Sequence, residues 1–269
     1  MSANGEAQAC LSGFASFAFG EPGAKRIVYR RGSGPGVVVI HEVPGITPEV
    51  ARFARRVADA GFSVYLPSLF GSPGRPFSLR YVAGQMARAC IGREFSVLAR
   101  RASSPITDWL RALCRHAHAE CGGPGVGALG MCLTGNFALA LMLDESVMAP
   151  VLSQPSLPLG ITASHRAALH LSDADLEVVR RRANEGCPVL GMRFTADPLS
   201  PAARFDTLRR ELGSGFEAIE IDSGRGNPHG ISRTAHSVVT IDLVDEVGHP
   251  TREALDRVLS FFAERLRPE

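Results

Sequence analysis

The sequence has almost no lysine, no excess of either charge and no long apolar run. Lys25 is the only lysine among 29 basic residues, and the formal net charge is +2. Such a balance provides no strong field for nucleic acid or an anionic membrane. No window approaches the roughly 18 apolar residues of a membrane span, and the first residues lack the pattern of a secretory signal. These absences predict a cytoplasmic protein without nucleic-acid or membrane partners.

The six cysteines form neither a Cys-x-x-Cys pair nor a cluster with histidine. This spacing argues against a structural zinc site and against a disulfide framework. It implies no metal ion, and nothing in the sequence implies an organic cofactor. Most thiols in a reduced compartment act as small apolar side chains. The useful question is whether one of the six differs from the others.

Short β-branched runs alternate with helical patterns over most of the chain. The first clear unit is a strand at Val37–Ile40, a helix at Pro48–Ala60 and a strand at Phe62–Leu66. A crossover of this length is typical of parallel strands. The alternation recurs as far as a closing helix at Thr251–Leu266. We therefore predict one α/β domain over residues 1–269, with a doubly wound, mostly parallel sheet and helices on both faces.

Three segments fall outside this alternation. Residues 1–33 are expected to hold two N-terminal strands. Residues 68–104 are rich in Ser, Gly, Pro and Arg, and residues 153–186 begin with a proline-containing stretch. Long excursions between the elements of an open sheet often form the walls of a ligand site. We expect both excursions to line a pocket, although surface decoration is the alternative for either one.

One cysteine lies in a distinctive local pattern, Gly130-Met131-Cys132-Leu133-Thr134-Gly135. The pattern follows a predicted strand at Val126–Leu129 and opens a predicted helix at Leu133–Leu143. A nucleophile elbow needs this layout, because its strained turn raises the nucleophile above the end of the sheet. A helix N-terminus also favours a thiolate. We predict that Cys132 is a nucleophile; the alternative is a buried cysteine between packing glycines.

A second motif, His41-Glu42-Val43-Pro44-Gly45, directly follows the strand at Val37–Ile40. In enzymes with a nucleophile elbow, the loop after this strand supplies one N–H to the oxyanion hole. We predict oxyanion-hole N–H groups at Val43 and at Leu133, the residue after the nucleophile. Glu42 should lie close to Cys132, where a carboxylate opposes thiolate formation. The alternative is a polar turn after a strand.

Together these motifs resemble the dienelactone hydrolase family, a branch of the α/β-hydrolases. Its Gly-x-Cys-x-Gly-Gly elbow is matched by residues 130–135 except at Thr134, and its Glu-x-x-Gly loop is matched by Glu42–Gly45. Residues 57–67 also resemble the family's Ala-x-x-Gly-Tyr-x-Val-x-x-Pro segment. The resemblance implies an α/β-hydrolase fold and a cysteine held as a thiol against the glutamate. It also implies hydrolysis of an enol lactone or related ester through a thioester.

The acid and base of a catalytic triad are expected after late strands. Asp197 follows a predicted strand at Cys187–Phe194, where an acid would orient a histidine; a turn-forming Asp-Pro is the alternative. Two histidines stay open as the base. His229 resembles the family's His-Gly-Phe pattern, and His236 resembles its Gly-His-Ser-Phe form. We favour His236 because an apolar run follows it, and we expect His249 only to begin a helix.

The resemblance also implies arginines that bind a substrate carboxylate, as arginine does in bidentate fashion. The candidates are Arg80, from the first excursion, and Arg233, four residues after His229. Gln154 is expected to line the pocket. The first excursion, residues 68–104, also contains Arg75, Arg88 and Arg93, and the sequence does not indicate which of its arginines would bind the carboxylate.

The predicted partner is a small-molecule ester or lactone. Two other functions remain open. The first is a non-catalytic binding or interaction protein with the same fold, in which Cys132 is inert. The second is an acyltransferase that uses the same triad with an acceptor other than water. The sequence does not predict an oligomeric state.

Overall fold

The computed structural model describes residues 9–91, 105–158 and 160–267, without the side chains of residues 86–91. Eight strands form one sheet. The strands are β1 Ala15–Phe19, β2 Arg26–Arg31, β3 Gly36–Ile40, β4 Ser63–Pro67, β5 Val126–Met131, β6 Val147–Ser153, β7 Val189–Phe194 and β8 Phe216–Ile221. The α-helices are α1 Pro48–Asp59, α2 Leu79–Ile91, α3 Pro105–Cys121, α4 Phe137–Leu141, α5 Ala163–Ala167, α6 Asp173–Asn184, α7 Ala202–Leu212 and α8 Pro250–Leu266. No helix in the described ranges is long and apolar enough to cross a membrane.

The strands lie in the order β1-β2-β4-β3-β5-β6-β7-β8. The pairs β1–β2 and β2–β4 are antiparallel, and every other pair is parallel. Strands β3, β4 and β5 are buried along their whole length, as in a sheet with helices on both faces. The predicted mostly parallel α/β sheet is confirmed. Strands β1 and β2 lie in the predicted N-terminal segment and form its antiparallel edge.

Local sequence explains how α1 connects β3 to β4. Thr47 begins the helix by accepting a hydrogen bond from the Val50 backbone N–H at 3.4 Å. Pro48 occupies the first turn, where no helical N–H is needed. Gly61 follows the helix with φ of +90°, which ends it. The buried face of α1 packs on the sheet in the largest hydrophobic core.

Two parts of the predicted helix pattern were wrong in detail. The helix expected at Leu133–Leu143 is a 3₁₀ turn at Cys132–Thr134 followed by the short α4. The first excursion contains α2, which the sequence pattern did not indicate. Among the described side chains of α2, Tyr81 and Gln85 are buried.

Candidate active site

The predicted catalytic residues lie together at the carboxyl ends of the parallel strands. Glu42 follows β3, Cys132 follows β5, Asp197 follows β7 and His236 lies in the long connection after β8. These four strands run parallel, so their carboxyl ends lie on the same side. Ligands of open α/β sheets bind outside the carboxyl ends of the strands. The fold therefore gathers side chains that are far apart in the sequence.

Cys132 lies at the tip of a strained turn. Its φ is +54°, a conformation that non-glycine residues rarely adopt outside functional sites. A Cβ at Gly130 would lie 2.1 Å from the Thr134 carbonyl oxygen, and one at Gly135 would lie 2.5 Å from Pro155 Cα. Both glycines are therefore required by close backbone approach. The Cys132 side chain is half-buried.

Thr134, the departure from the family's elbow pattern, closes the turn. Its hydroxyl accepts a hydrogen bond from the Met131 backbone N–H at 3.0 Å. Its single proton has three carbonyl oxygens within reach, that of Met131 at 2.9 Å and those of Ile40 and His41 at 3.2 Å each. Thr134 thus ties the end of β5 to the end of β3. A threonine at this position is compatible with the strained turn at Cys132.

The structure brings His236 to Asp197. The His236 Nδ1 donates to Asp197 Oδ2 at 2.7 Å, and Asp197 Oδ1 accepts from the Leu199 backbone N–H at 2.9 Å. Burial alone would lower the pKa of His236. Interaction with the Cys132 sulfur and with Asp197 outweighs that effect and raises the pKa to about 11. His236 Nε2 is buried and makes no geometric hydrogen bond within the described residues, so it is available to the thiol or to a ligand.

His229 is placed differently. It is exposed, and its ring packs against His249 with centroids 5.3 Å apart. His249 is the N-cap of α8 and accepts a hydrogen bond from the Thr251 backbone N–H at 3.3 Å. The expected helix-entry position of His249 is confirmed. Of the two histidines that the sequence left open, only His236 is joined to Asp197.

Glu42 is almost fully buried and points toward the loop that follows His236. Its carboxylate accepts hydrogen bonds from Gln154 Nε2 at 3.3 Å, Ser237 Oγ at 2.7 Å and Thr240 Oγ1 at 2.5 Å. Burial raises the pKa of Glu42, and the Thr240 and Ser237 hydroxyls oppose the rise. The hydrogen bond to Cys132 that the resemblance implied is not formed within the described residues. Ser237 and Thr240 donate to the carboxylate instead.

Gln154 lies behind the site and is fully buried. Its Oε1 accepts from the Ser153 hydroxyl and from the Val238 backbone N–H, and its Nε2 donates to Glu42. Both amide heteroatoms are therefore engaged inside the protein. The predicted contact with substrate would require this side chain to leave its partners.

The residues predicted to form the oxyanion hole belong to a small apolar cluster. Val43 and Leu133 are its buried members. Packed against them are Phe70 and Val82 from the first excursion, Leu157 from the second, and Cys132 itself. The Val43 backbone N–H donates to no acceptor within the described ranges. Both excursions thus contribute apolar side chains beside the thiol.

The predicted substrate-binding arginines lie outside this apolar cluster. Arg80 and Arg233 are exposed, and their role stays a prediction. The Arg75 guanidinium lies 4.1 Å from the centroid of the Tyr81 ring. Arg93 and the side chain of Arg88 fall outside the described residues. Across the described ranges, no group of three or more His, Cys, Asp or Glu residues is suited to hold a metal ion.

Sequence reasoning assigned no role to His41, although it shapes the site. The buried ring donates from Nδ1 to the Glu42 carbonyl oxygen at 2.9 Å and accepts at Nε2 from the Leu69 backbone N–H at 3.0 Å. These partners fix a neutral tautomer. Burial lowers the pKa of His41 to about 4. The ring therefore joins the loops after β3 and β4 without carrying charge.

Arg204 was also missed, because nothing in the α7 sequence distinguishes it from other arginines. The side chain is fully buried, and burial lowers its pKa to about 10. It donates to the carbonyl oxygens of Pro155, Pro158, His165 and Ala168 at 2.5, 2.7, 3.1 and 3.0 Å. One guanidinium thus holds the segment that contributes Leu157 to the apolar cluster.

Comparison with known proteins identifies related sequences and folds. The model of the dienelactone hydrolase family matches residues 26–266. A Saccharomyces cerevisiae protein named "Putative carboxymethylenebutenolidase" is 27% identical over 199 residues, covering 72% of this chain and 69% of that protein. A dienelactone hydrolase-like promiscuous phosphotriesterase from metagenomic libraries has 18% identity and a TM-score of 0.62, covering 94% of this chain and 98% of its own. Dienelactone hydrolase from Anabaena variabilis has 15% identity and a TM-score of 0.55, covering 94% of this chain and 98% of its own. These two structures share the fold.

Proposed function

The chain belongs to the dienelactone hydrolase family and is a carboxylic ester or lactone hydrolase, and on this premise we propose that it acts through a Cys132–His236–Asp197 triad and a thioester intermediate. The observation that carries the proposal is the 2.7 Å hydrogen bond from His236 to Asp197, close to a cysteine with φ of +54°. A triad is recognised by such geometry and roles rather than by sequence position.

In the proposed reaction, His236 Nε2 accepts the Cys132 thiol proton and the thiolate attacks the substrate carbonyl carbon. The backbone N–H groups of Val43 and Leu133 donate to the resulting oxyanion. The C–O bond then breaks, and His236 gives its proton to the leaving alkoxide. Water attacks the thioester with His236 as base, which releases the acid and restores the thiol. Asp197 holds the Nδ1–H tautomer throughout.

The electrostatics of His236 favour this sequence. Burial lowers its pKa, but the Cys132 sulfur and the Asp197 carboxylate together raise it to about 11. A ring whose pKa is raised in this way is a stronger acceptor for a proton from a neighbouring group. The electrostatics therefore support His236 as the proposed base.

The apolar cluster supports an uncharged, apolar acyl group as the part of the substrate that lies beside the thiol. Val43, Phe70, Val82, Leu133 and Leu157 offer no charged partner for a carboxylate. Burying an unpaired charge among apolar side chains is costly. We expect p-nitrophenyl butyrate to be hydrolysed with a kcat/KM about tenfold above that of p-nitrophenyl hemisuccinate, a difference of roughly 1.4 kcal/mol. A preference for the hemisuccinate that disappears in Arg80→Ala or Arg233→Ala would instead favour the predicted arginine contacts.

The nucleophile is tested by Cys132→Ala. We expect kcat/KM for p-nitrophenyl acetate to fall by about 10³-fold or more, as for loss of a catalytic nucleophile. The control is Cys121→Ala, which removes another half-buried thiol, one that precedes β5 whereas Cys132 follows it. Mass spectrometry of acid-quenched wild-type enzyme should place an acetyl group on Cys132. Full activity in Cys132→Ala would exclude the mechanism.

The two other functions are tested with the same material. Product analysis with methanol as a competing acceptor separates hydrolysis from acyl transfer. Labelling of the folded protein with iodoacetamide at neutral pH separates the enzyme from an inert scaffold. Selective reaction of Cys132, slowed by an ester analogue, supports the enzyme.

A further inference from the structure

We propose that Glu42 is a positioning residue that fixes the loop carrying His236, and that it does not act as the partner of the Cys132 thiol. The inference rests on the triad proposed above. It assigns to Glu42 a task different from the one implied by the sequence resemblance. It also adds Ser237 and Thr240 to the residues on which the reaction depends.

The contacts of Glu42 span both ends of a short loop. Ser237, next to His236, donates to Oε2 at 2.7 Å, and Thr240 donates to Oε1 at 2.5 Å. Between them, Val238 and Val239 are buried in the main core. One carboxylate thus binds a hydroxyl on each side of Val238 and Val239, which together form the apolar anchor of the loop. This arrangement restrains the backbone from which the His236 ring projects.

Two further side chains complete the restraint. Gln154 donates to Glu42 at 3.3 Å and accepts from the Val238 backbone N–H at 3.4 Å, which connects the loop to the end of β6. Asp242 Oδ2 accepts from the backbone N–H groups of His236 and Ser237, each at 2.8 Å. Glu42 and Gln154 therefore bind the buried part of the loop, and Asp242 binds the backbone at its start.

The charge of Glu42 also acts on His236. The two groups attract, and the presence of His236 lowers the pKa of Glu42 against the effect of its burial. By reciprocity, an ionised Glu42 favours the imidazolium form of His236, in addition to the effect of Asp197. The nearby Asp242 carboxylate acts in the opposite direction on Glu42. A carboxylate in this place supports the imidazolium form of His236.

The two assignments for Glu42 predict opposite results in Glu42→Gln. If the carboxylate faced the thiol, its removal would favour the thiolate and speed alkylation of Cys132 by iodoacetamide at pH 7. If the carboxylate instead restrains the His236 loop and favours the imidazolium form of His236, its removal should slow alkylation of Cys132 by about fivefold or more. Faster or unchanged alkylation would overturn the inference. The control is Glu246→Gln, which neutralises an exposed carboxylate in the same connection between β8 and α8.

Ser237→Ala and Thr240→Val test the restraint without changing charge. Each removes one donor to Glu42 while leaving the apolar anchor in place. We expect kcat for p-nitrophenyl acetate to fall by about fivefold to tenfold in each, with KM changed less than about twofold, because the base is misplaced and the acyl pocket is intact. A rise in KM at unchanged kcat would contradict a positioning role. Circular dichroism of all variants identifies any that fail to fold, and these two variants keep the test open if Glu42→Gln does not fold.

The alkylation assay contains no ester, so it separates this inference from the proposed function. Failure of the proposed function would appear as ester hydrolysis that survives Cys132→Ala. Failure of the Glu42 assignment would appear as faster or unchanged alkylation in Glu42→Gln. Each result can occur without the other.

Discussion

The connection between β8 and α8 carries two histidines in two contrasting settings. The His229 turn, residues 227–231, is exposed at residues 228–230 and is held by the Asn227 side chain, which accepts from the Ile231 backbone N–H at 2.9 Å. The His236 loop, residues 235–242, is held by carboxylates on both sides and by two buried valines. A proton-transfer group must stay within reach of its partners. The contrast favours the second setting as the source of the proposed base.

Glycine and proline explain much of the contrast. The His229 turn contains Pro228 and Gly230, and its Ile231 packs against the core while remaining half-buried. The His236 loop presents Val238 and Val239 to the core and polar hydroxyls to Glu42. Apolar anchoring and buried acceptors together define one conformation, whereas a polar turn is restrained mainly by its own backbone.

The largest expected effect separates the two histidines directly. We expect His236→Gln to lower kcat/KM for p-nitrophenyl acetate by about 10³-fold, because it removes the base that activates the thiol. His229→Gln should change it by less than about twofold, since that ring contacts His249 and not Asp197. Steady-state rates of the two variants measure the contrast. A large loss in His229→Gln with near-normal activity in His236→Gln would reverse the assignment.

The next effect concerns the acid. Asp197→Asn keeps the shape of the side chain but removes the charge that accepts the His236 Nδ1 proton at 2.7 Å. We expect a loss of about 10²-fold or more in kcat, as for the acid of other triads. Asp222→Asn is the matched control, because Asp222 is exposed and accepts from the Gly224 backbone N–H. Equal losses in both variants would show that Asp197 acts only through folding.

A pH-dependent effect on stability should follow from His236. Its pKa rises on folding from 6.5 to about 11, so the fold favours the protonated ring. The resulting stabilisation is complete below about pH 6.5 and is lost as the pH rises toward 11. The advantage of wild type over His236→Gln in free energy of unfolding should therefore shrink from pH 6 to pH 10. Urea unfolding at both pH values measures it, and a growing advantage would contradict the assigned direction.

The smallest expected effect concerns the apolar anchor. Val238→Ala removes two buried methyl groups and should lower the free energy of unfolding by about 2 kcal/mol. Ile231→Ala, in the His229 turn, should cost less than about 1 kcal/mol, because Ile231 is only half-buried. Urea unfolding compares the two. Equal costs would mean that the two settings are anchored alike.

Much of the fold follows from local sequence. The strand predicted at Val37–Ile40 and the helix predicted at Thr251–Leu266 each start one residue later than β3 and α8, because a β-branched run and an amphipathic pattern are strong local signals. The antiparallel pairing of β2 with β4 depends on long-range packing, and no local pattern encodes it. The helix α2 was missed because it lies in a segment, residues 68–104, whose Ser, Gly, Pro and Arg content is typical of loops.

The site shows the same division. The elbow at Cys132 could be found because strain, glycine spacing and a strand–turn–helix layout leave a local signature. The direction in which the Glu42 side chain points could not be predicted, because it depends on Ser237 and Thr240, almost two hundred residues away. The resemblance suggested the thiol as its partner. The distant hydroxyls compete for the same carboxylate, and sequence proximity carries no information about them.

The buried Arg204 has a consequence for how freely this enzyme can change. Its hydrogen bonds end on main-chain oxygens of residues 155–168, not on their side chains. Side chains of that segment can therefore be exchanged without removing the groups that hold it in place. Leu157 is one of them, and it reaches the apolar cluster beside the thiol. A library that randomises Leu157 while retaining Arg204 would vary the shape of the acyl pocket on an unchanged backbone.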